Sequence, residues 1–286
     1  MQTKFSISEK FQFLEDYVDM ISTRSIKSMI VVGDGGLGKS YTVINQLTKN
    51  GISDSMNKVK HQEQHIEHQS IVESIFKHYI IKKYPVLKHV LNTPVEIKPK
   101  QTHISKNMYV LVKGFSTSKG LYRTLFENKS SIVVFDDCDS SLTDKKAVSI
   151  LKAALDSGEK RIVTWDSEAV SDLPKSFEFT GSVIFISNLK LNEIPQSLVT
   201  RASTADVTMT RLEIIERMYQ IINEGIFMKD TEKSIKNKAL EFIYKNINNP
   251  QITTINLRTL IAVVTNIKCK PENWERLSLN MMISAK

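Results

Sequence analysis

Cysteine is scarce in this chain. Only Cys138 and Cys269 occur among 286 residues, far apart and without C-x-x-C spacing, which excludes a disulfide framework and a thiolate zinc site. Both are expected to be ordinary thiols, buried or half-buried. No apolar run approaches the roughly 20 residues that cross a bilayer, and the polar start Met1-Gln2-Thr3-Lys4 lacks the pattern of a signal peptide. The expectation is a cytosolic protein with no membrane association. Glycine (10) and proline (7) are too few for a collagenous or low-complexity chain, and no internal repeat is visible. What remains is an ordinary globular composition, 41% hydrophobic and 24% charged, long enough for one large α/β domain and a smaller one. A net charge of +8 favours an anionic partner, but the lysines are scattered rather than blocked, so a solvated surface explains them equally well.

Against this background one segment carries chemistry. Gly33-Asp34-Gly35-Gly36-Leu37-Gly38-Lys39-Ser40 follows the apolar run Met29-Ile30-Val31-Val32 and fills every fixed position of G-x-x-x-x-G-K-[ST]. The glycines let the backbone curl so that successive N–H groups point inward, and a helix begins at Lys39 and runs on through Tyr41. Such a nest holds an anion. Lys39 is placed to reach the β- and γ-phosphates of a nucleoside triphosphate, and the Ser40 hydroxyl to take one position on Mg²⁺. Gly33 to Tyr41 therefore form the expected ATP-binding set.

Three further apolar runs read as strands: Met108 to Val112, Ser131 to Phe135 and Ser182 to Ile186. Continuous apolar strands separated by helical segments mark a parallel sheet buried on both faces, with ligands at the carboxyl ends. Asp136 and Asp137 stand at one such end and Asn188 at another. A carboxylate pair after a buried strand needs a cation, so Asp136 is assigned to Mg²⁺ with Ser40, and Asp137 to orienting or deprotonating a water. Asp139 suits a helix N-cap. Gly158 to Trp165 reads as a short strand or hairpin. Helical periodicity covers Ser8 to Arg24, a helix expected beside the nucleotide base, and then 212–222, 235–247 and 257–267. His61, His65 and His68 fall near one helix face; a metal site and a solvated polar face are both open readings.

The arrangement resembles the AAA+ ATPases over about 25–268. Gly33 to Ser40 match Walker A and Ile132 to Asp137 match Walker B. Asn188 matches sensor 1. Ile194 to Arg201 looks like the segment ending in an arginine finger, and Asn256-Leu257-Arg258-Thr259-Leu260 is similar to sensor 2. The resemblance implies a three-layer αβα P-loop NTPase core with a parallel sheet (1–208) and a small all-helical C-terminal lid domain (209–286). It further implies ATP hydrolysis with Mg²⁺, with Lys39, Asp137, Asn188, Arg201 and Arg258 as catalytic residues. A homo-oligomeric ring or spiral follows, a hexamer among the sizes considered, with Arg201 reaching a neighbour's nucleotide. Two departures stand out: Asp137 replaces the usual glutamate, which fits slow hydrolysis or a switch, and Arg201 lacks a second arginine beside it. Lys113 to Tyr122 and Ala153 to Gly158 look like segments of ATPases from large tailed bacteriophages, implying viral DNA metabolism. DNA rather than RNA is then the expected partner, and Lys160-Arg161 is expected at a hairpin tip facing a pore, unless Trp165 merely packs there. A nucleotide-dependent loader or adaptor is the alternative function. A protein unfoldase and a small-molecule kinase fit less well.

Overall fold

The computed structural model describes residues 5–55, 108–114, 117–165, 173–225 and 227–284. The cluster His61, His65 and His68 lies outside the described residues. The strands are β1 (Ser28–Val32), β2 (Ser53–Asp54), β3 (Met108–Lys113), β4 (Ile132–Asp136), β5 (Ile162–Thr164), β6 (Ser176–Glu178), β7 (Ser182–Ser187) and β8 (Ser203–Asp206). Six of them form one sheet in the order β2-β3-β4-β7-β1-β8, with every pairing parallel. The helices are α1 (Ile7–Ser22), α2 (Lys39–Lys49), α3 (Ser118–Glu127), α4 (Asp139–Thr143), α5 (Lys145–Ala154), α6 (Gln196–Val199), α7 (Arg211–Asn223), α8 (Lys233–Lys245), α9 (Leu257–Cys269) and α10 (Trp274–Ser284).

The apolar strands are apolar because both faces are covered. Successive side chains alternate between two cores: Met29, Val31, Ile132, Val134, Ile184 and Ile186 point one way, while Ile30, Val32, Val133, Phe135, Val183 and Phe185 point the other. Phe135 and Phe185 stack across β4 and β7 with ring centroids 4.7 Å apart. The first core takes in α1, α2 and the C-terminal helices; the second takes in α3, α4, α5 and the β5–β6 hairpin. This is the three-layer αβα P-loop NTPase fold followed by helices. Helix α1 shows why the stripe forms: Ile7, Phe11, Leu14, Val18 and Ile21 recur at helical spacing and are all buried, and a Ser6–Glu9 capping box starts the helix. A fourth C-terminal helix, α10, joins the three expected. Among the described residues no helix is long and apolar enough to cross a membrane.

Two expectations are corrected here. Lys160 and Arg161 stand at the base of the β5–β6 hairpin, not its tip, because the antiparallel register begins at Ile162 opposite Glu178. Arg161 is buried, donating to the carbonyls of Ala154 and Gly181, and burial lowers its pKa to about 10. Trp165 packs 6.1 Å from the Tyr122 ring, as its packing reading requires. Asp139 does not cap a helix: the N-cap of α4 is Cys138, without a side-chain bond, and the Asp139 carboxylate instead accepts from Ser187 Oγ at 2.6 Å and from the Asn188 N–H at 3.3 Å.

Candidate nucleotide site

Residues 33–38 leave β1 and turn into α2. Gly36 and Gly38 have φ of +77° and +92°, the left-handed region that costs a side chain dearly. Gly38 is the N-cap of α2 and supplies no side-chain acceptor, so the N–H groups of the first turn remain available at the positive end of the helix dipole. An anion is the partner such a terminus lacks. The Lys39 ammonium curls over this loop and is buried. It donates to the carbonyls of Gly33 (2.6 Å) and Asp34 (2.9 Å) and to Asn188 Oδ1 (2.9 Å). Burial pulls its pKa below the ordinary lysine range, and the carboxylates of Asp137, Asp136, Asp34 and Asp139 offset part of that.

The sheet order supplies the facing wall. Because β7 lies between β1 and β4, Asn188 beyond its end sits between the loop and the acidic pair. Its amide bridges the two: Oδ1 accepts from Lys39, and Nδ2 donates to Asp137 Oδ1 at 2.7 Å. Asp137 adopts φ of +57°, uncommon outside glycine though tolerated by Asp, and its N–H donates to the Ile186 carbonyl at 3.2 Å. Asp136 is buried and accepts from Ser40 Oγ at 2.7 Å. Its other oxygen lies 3.3 Å from Lys113 Nζ. A hydroxyl and a carboxylate in contact, beside a lysine already drawn to that carboxylate, fit a hard cation whose other ligands are phosphate oxygens and waters. Among the described residues no cluster of three or more His, Cys, Asp or Glu could hold a metal by itself.

The C-terminal helices close the third side. Asn256 caps α9 by accepting from the N–H groups of Arg258 and Thr259, and the N–H just before them, that of Leu257, donates to the Gly36 carbonyl at 3.0 Å. A Cβ on Gly36 would lie 2.8 Å from Asn256 Cγ, so the close approach of loop and α9 requires glycine. A cavity of about 470 Å³ opens between these elements. Gly36, Leu37, Gly38, Lys39, Ser40, Tyr41, Asp136, Asp137, Asn188 and Arg258 line it, whereas Gly33, Asp34 and Gly35 of the expected binding set do not. Arg258 is exposed, and its guanidinium has no hydrogen bond or ion pair among the described residues. Arg201 is outside the cavity: its Nη1 donates to the Ser197 carbonyl at 2.7 Å and its Nε lies 3.6 Å from Asp156. Nor does α1 line the cavity; it packs behind its wall, with the Arg217 guanidinium over the Phe11 ring and Gln220 Nε2 donating to Ser8 Oγ at 3.2 Å.

Sequence reading missed Lys113, whose signal is its register opposite Asp136 on the neighbouring strand. It also missed the role of Asp139, and the far wall formed by Arg217, Glu224, Phe227 and Met228, for which no local motif exists.

No known family model matches the sequence. The chain is 25% identical over 295 aligned positions to an uncharacterized 36.7 kDa protein from the nrdC–mobD intergenic region of Enterobacteria phage T4, covering 96% of this chain and 74% of that one. Solved structures similar to it include a variant of Thermotoga maritima RuvB (TM-score 0.44, 11% identity, 96% of this chain and 68% of that one). Another is the replication initiator DnaA bound to AMPPCP and single-stranded DNA (TM-score 0.37, 13% identity, 98% and 67%).

Proposed function

We propose that this chain is an AAA+ type ATPase that binds Mg·ATP in the cavity between loop and C-terminal helices and hydrolyses it to move residues 209–286 against 1–208. The observation that carries the reading is the convergence of Lys39, Ser40, Asp136, Asp137 and Asn188 from three strand ends onto one uncapped helix terminus. The α2 N–H groups and the Lys39 ammonium bind the phosphates. Ser40 and Asp136 would hold Mg²⁺, which would supply positive charge against the developing charge of the phosphates. Asn188 aligns the attacking water, and Asp137 takes its proton at a carboxylate oxygen. Arg258 adds positive charge from α9, and the Leu257–Gly36 bond ties that helix to the loop, so loss of the γ-phosphate is felt by both. Arg201, outside its own cavity, exchanges its contacts with Ser197 and Asp156 for a neighbour's site in a ring or spiral. The basic excess supports DNA, alone or with bound protein, as the substrate of the motion.

Turnover measured with single-stranded DNA, double-stranded DNA, RNA or no nucleic acid tests this. Asp137→Asn should lower the rate roughly a hundredfold or more while ATP still binds. A second reading, a slow switch or loader, draws on the engagement of Asp137 Oδ1 by Asn188. It gains if hydrolysis is near background in the wild type and unmoved by any nucleic acid.

A further inference from the structure

The exits of β4 and β7 are tied together beyond the pairing of the strands themselves. Asp136 lies opposite Ile186, so residues 137–139 and 187–189 leave the sheet side by side. The Asp137 N–H donates to the Ile186 carbonyl at 3.2 Å, and Asn188 Nδ2 donates to Asp137 Oδ1 at 2.7 Å. The Asp139 carboxylate completes the tie with both oxygens. Oδ1 accepts from Ser187 Oγ at 2.6 Å, the short contact of a hydroxyl with an ionised carboxylate, and Oδ2 accepts from the Asn188 N–H at 3.3 Å. Ser187 is fully buried, and its Oγ also accepts from the Leu189 N–H at 3.0 Å, which folds 187–189 around that one carboxylate.

This tie carries an amide with two obligations. The Lys39 ammonium only donates and the Asp137 carboxylate only accepts, so Asn188 must keep Oδ1 toward the first and Nδ2 toward the second. The terminal torsion of an asparagine is soft, and its aim is therefore no better than the backbone beneath it. Asp137 shares the dependence: its φ of +57° persists only where surrounding bonds over-determine it, and these come from Ile186 and Asn188. Asp139 itself does not line the cavity and caps no helix; its carboxylate holds the residues that set Asn188.

We infer that Asp139 is a positioning residue for hydrolysis: through Ser187 and the Asn188 backbone it fixes the Asn188 amide, and with it Asp137, in the alignment the attacking water needs. This rests on the proposed function, in which Asn188 aligns that water and Asp137 takes its proton. A misplacement of about 1 Å costs such a step roughly a hundredfold, so a carboxylate that touches no reactant still sets the rate.

Two readouts separate positioning from mere support of the fold. One is turnover beside equilibrium binding of a non-hydrolysable ATP analogue; the other is the NMR signal of the Asn188 side-chain amide, assigned by its loss in Asn188→Ala. Asp139→Ala should lower kcat by about tenfold or more while the analogue binds within about twofold of wild type. Its amide signal should move toward that of a solvent-exposed asparagine. Asp139→Asn, whose carbonyl oxygen can still accept from the Asn188 N–H, should recover most of the loss. Ser187→Ala tests the same tie if Asp139→Ala does not fold, and should change kcat and the amide signal in the same direction. In the double variant Asp139→Ala/Asn188→Ala, turnover should match that of Asn188→Ala alone, because the group being positioned is already gone. Single losses that multiply in the double variant overturn the inference, and so does an equal fall in kcat and analogue affinity. A wild type that binds the analogue but turns nothing over sinks hydrolysis in the proposed function. The tie is then judged by the amide signal alone, and a signal unmoved in Asp139→Ala and Ser187→Ala overturns it.

Discussion

Lys39, Asp136 and Cys138 show how individual side chains divide the work at the sheet's edge. Lys39 is charged and buried because carboxylates and three acceptors surround it; Lys39→Ala should leave the fold intact and abolish nucleotide binding in the same titration. Lys113, 63% exposed, competes with any cation at Asp136. Lys113→Gln should therefore lower the Mg²⁺ concentration that half-saturates nucleotide binding, by about two- to fivefold. Cys138 is fully buried beside Asp136, and burial pushes its thiol pKa up to about 11. Its reactive thiolate appears only as pH rises toward that value, so between pH 7 and 9 native protein should alkylate at exposed Cys269 alone, and denatured protein at both. Residue identities in the loop were legible because the motif is contiguous. Lys113 and Arg217 were not, since a lone cation in a sequence carries no record of the carboxylate or ring it will meet.

Each element's boundary has a physical signal, and where the signal is weak the reading failed. β1, β4 and β7 were legible because strands covered on both faces must be apolar throughout. β8, Ser203-Thr204-Ala205-Asp206, is a polar strand at the sheet edge, and β2 is two residues long, so neither carried that signature. The start of α7 is marked by a Thr210–Glu213 capping box; Thr210→Ala should cost about 1 kcal/mol in denaturant unfolding, without altering nucleotide affinity. Gly36→Ala tests the junction of loop and α9. The left-handed backbone and the 2.8 Å approach to Asn256 predict a loss of roughly 1–3 kcal/mol, accompanied by weaker ATP binding because the same contact shapes the phosphate nest.

On the scale of the molecule, one apolar core runs from α1 through the sheet face into α7, α8, α9 and α10, so the C-terminal helices share packing with the nucleotide core. A ligand that bridges loop and α9 should stabilise the whole: at 100 times Kd a non-hydrolysable ATP analogue adds about 2.7 kcal/mol by mass action, read as a rise in Tm that Lys39→Ala abolishes. If copies assemble through Arg201, mass in solution should rise with that analogue, and Arg201→Ala should cut turnover without lowering nucleotide affinity. The sequence by itself determined the phosphate loop, the buried parallel strands and the acidic strand end, because each is a local pattern of neighbours whose chemistry is decided over a few residues. Only the tertiary structure decided that Asn188 bridges Lys39 to Asp137, that Lys113 faces Asp136, that Arg161 is interior, and that Arg217 and Glu224 stand at the far end of the same cavity. The reason is topological: the order β3-β4-β7-β1 gathers strand ends far apart in the chain onto one edge, and α7 and α9 fold back over it. No short-range pattern encodes that gathering.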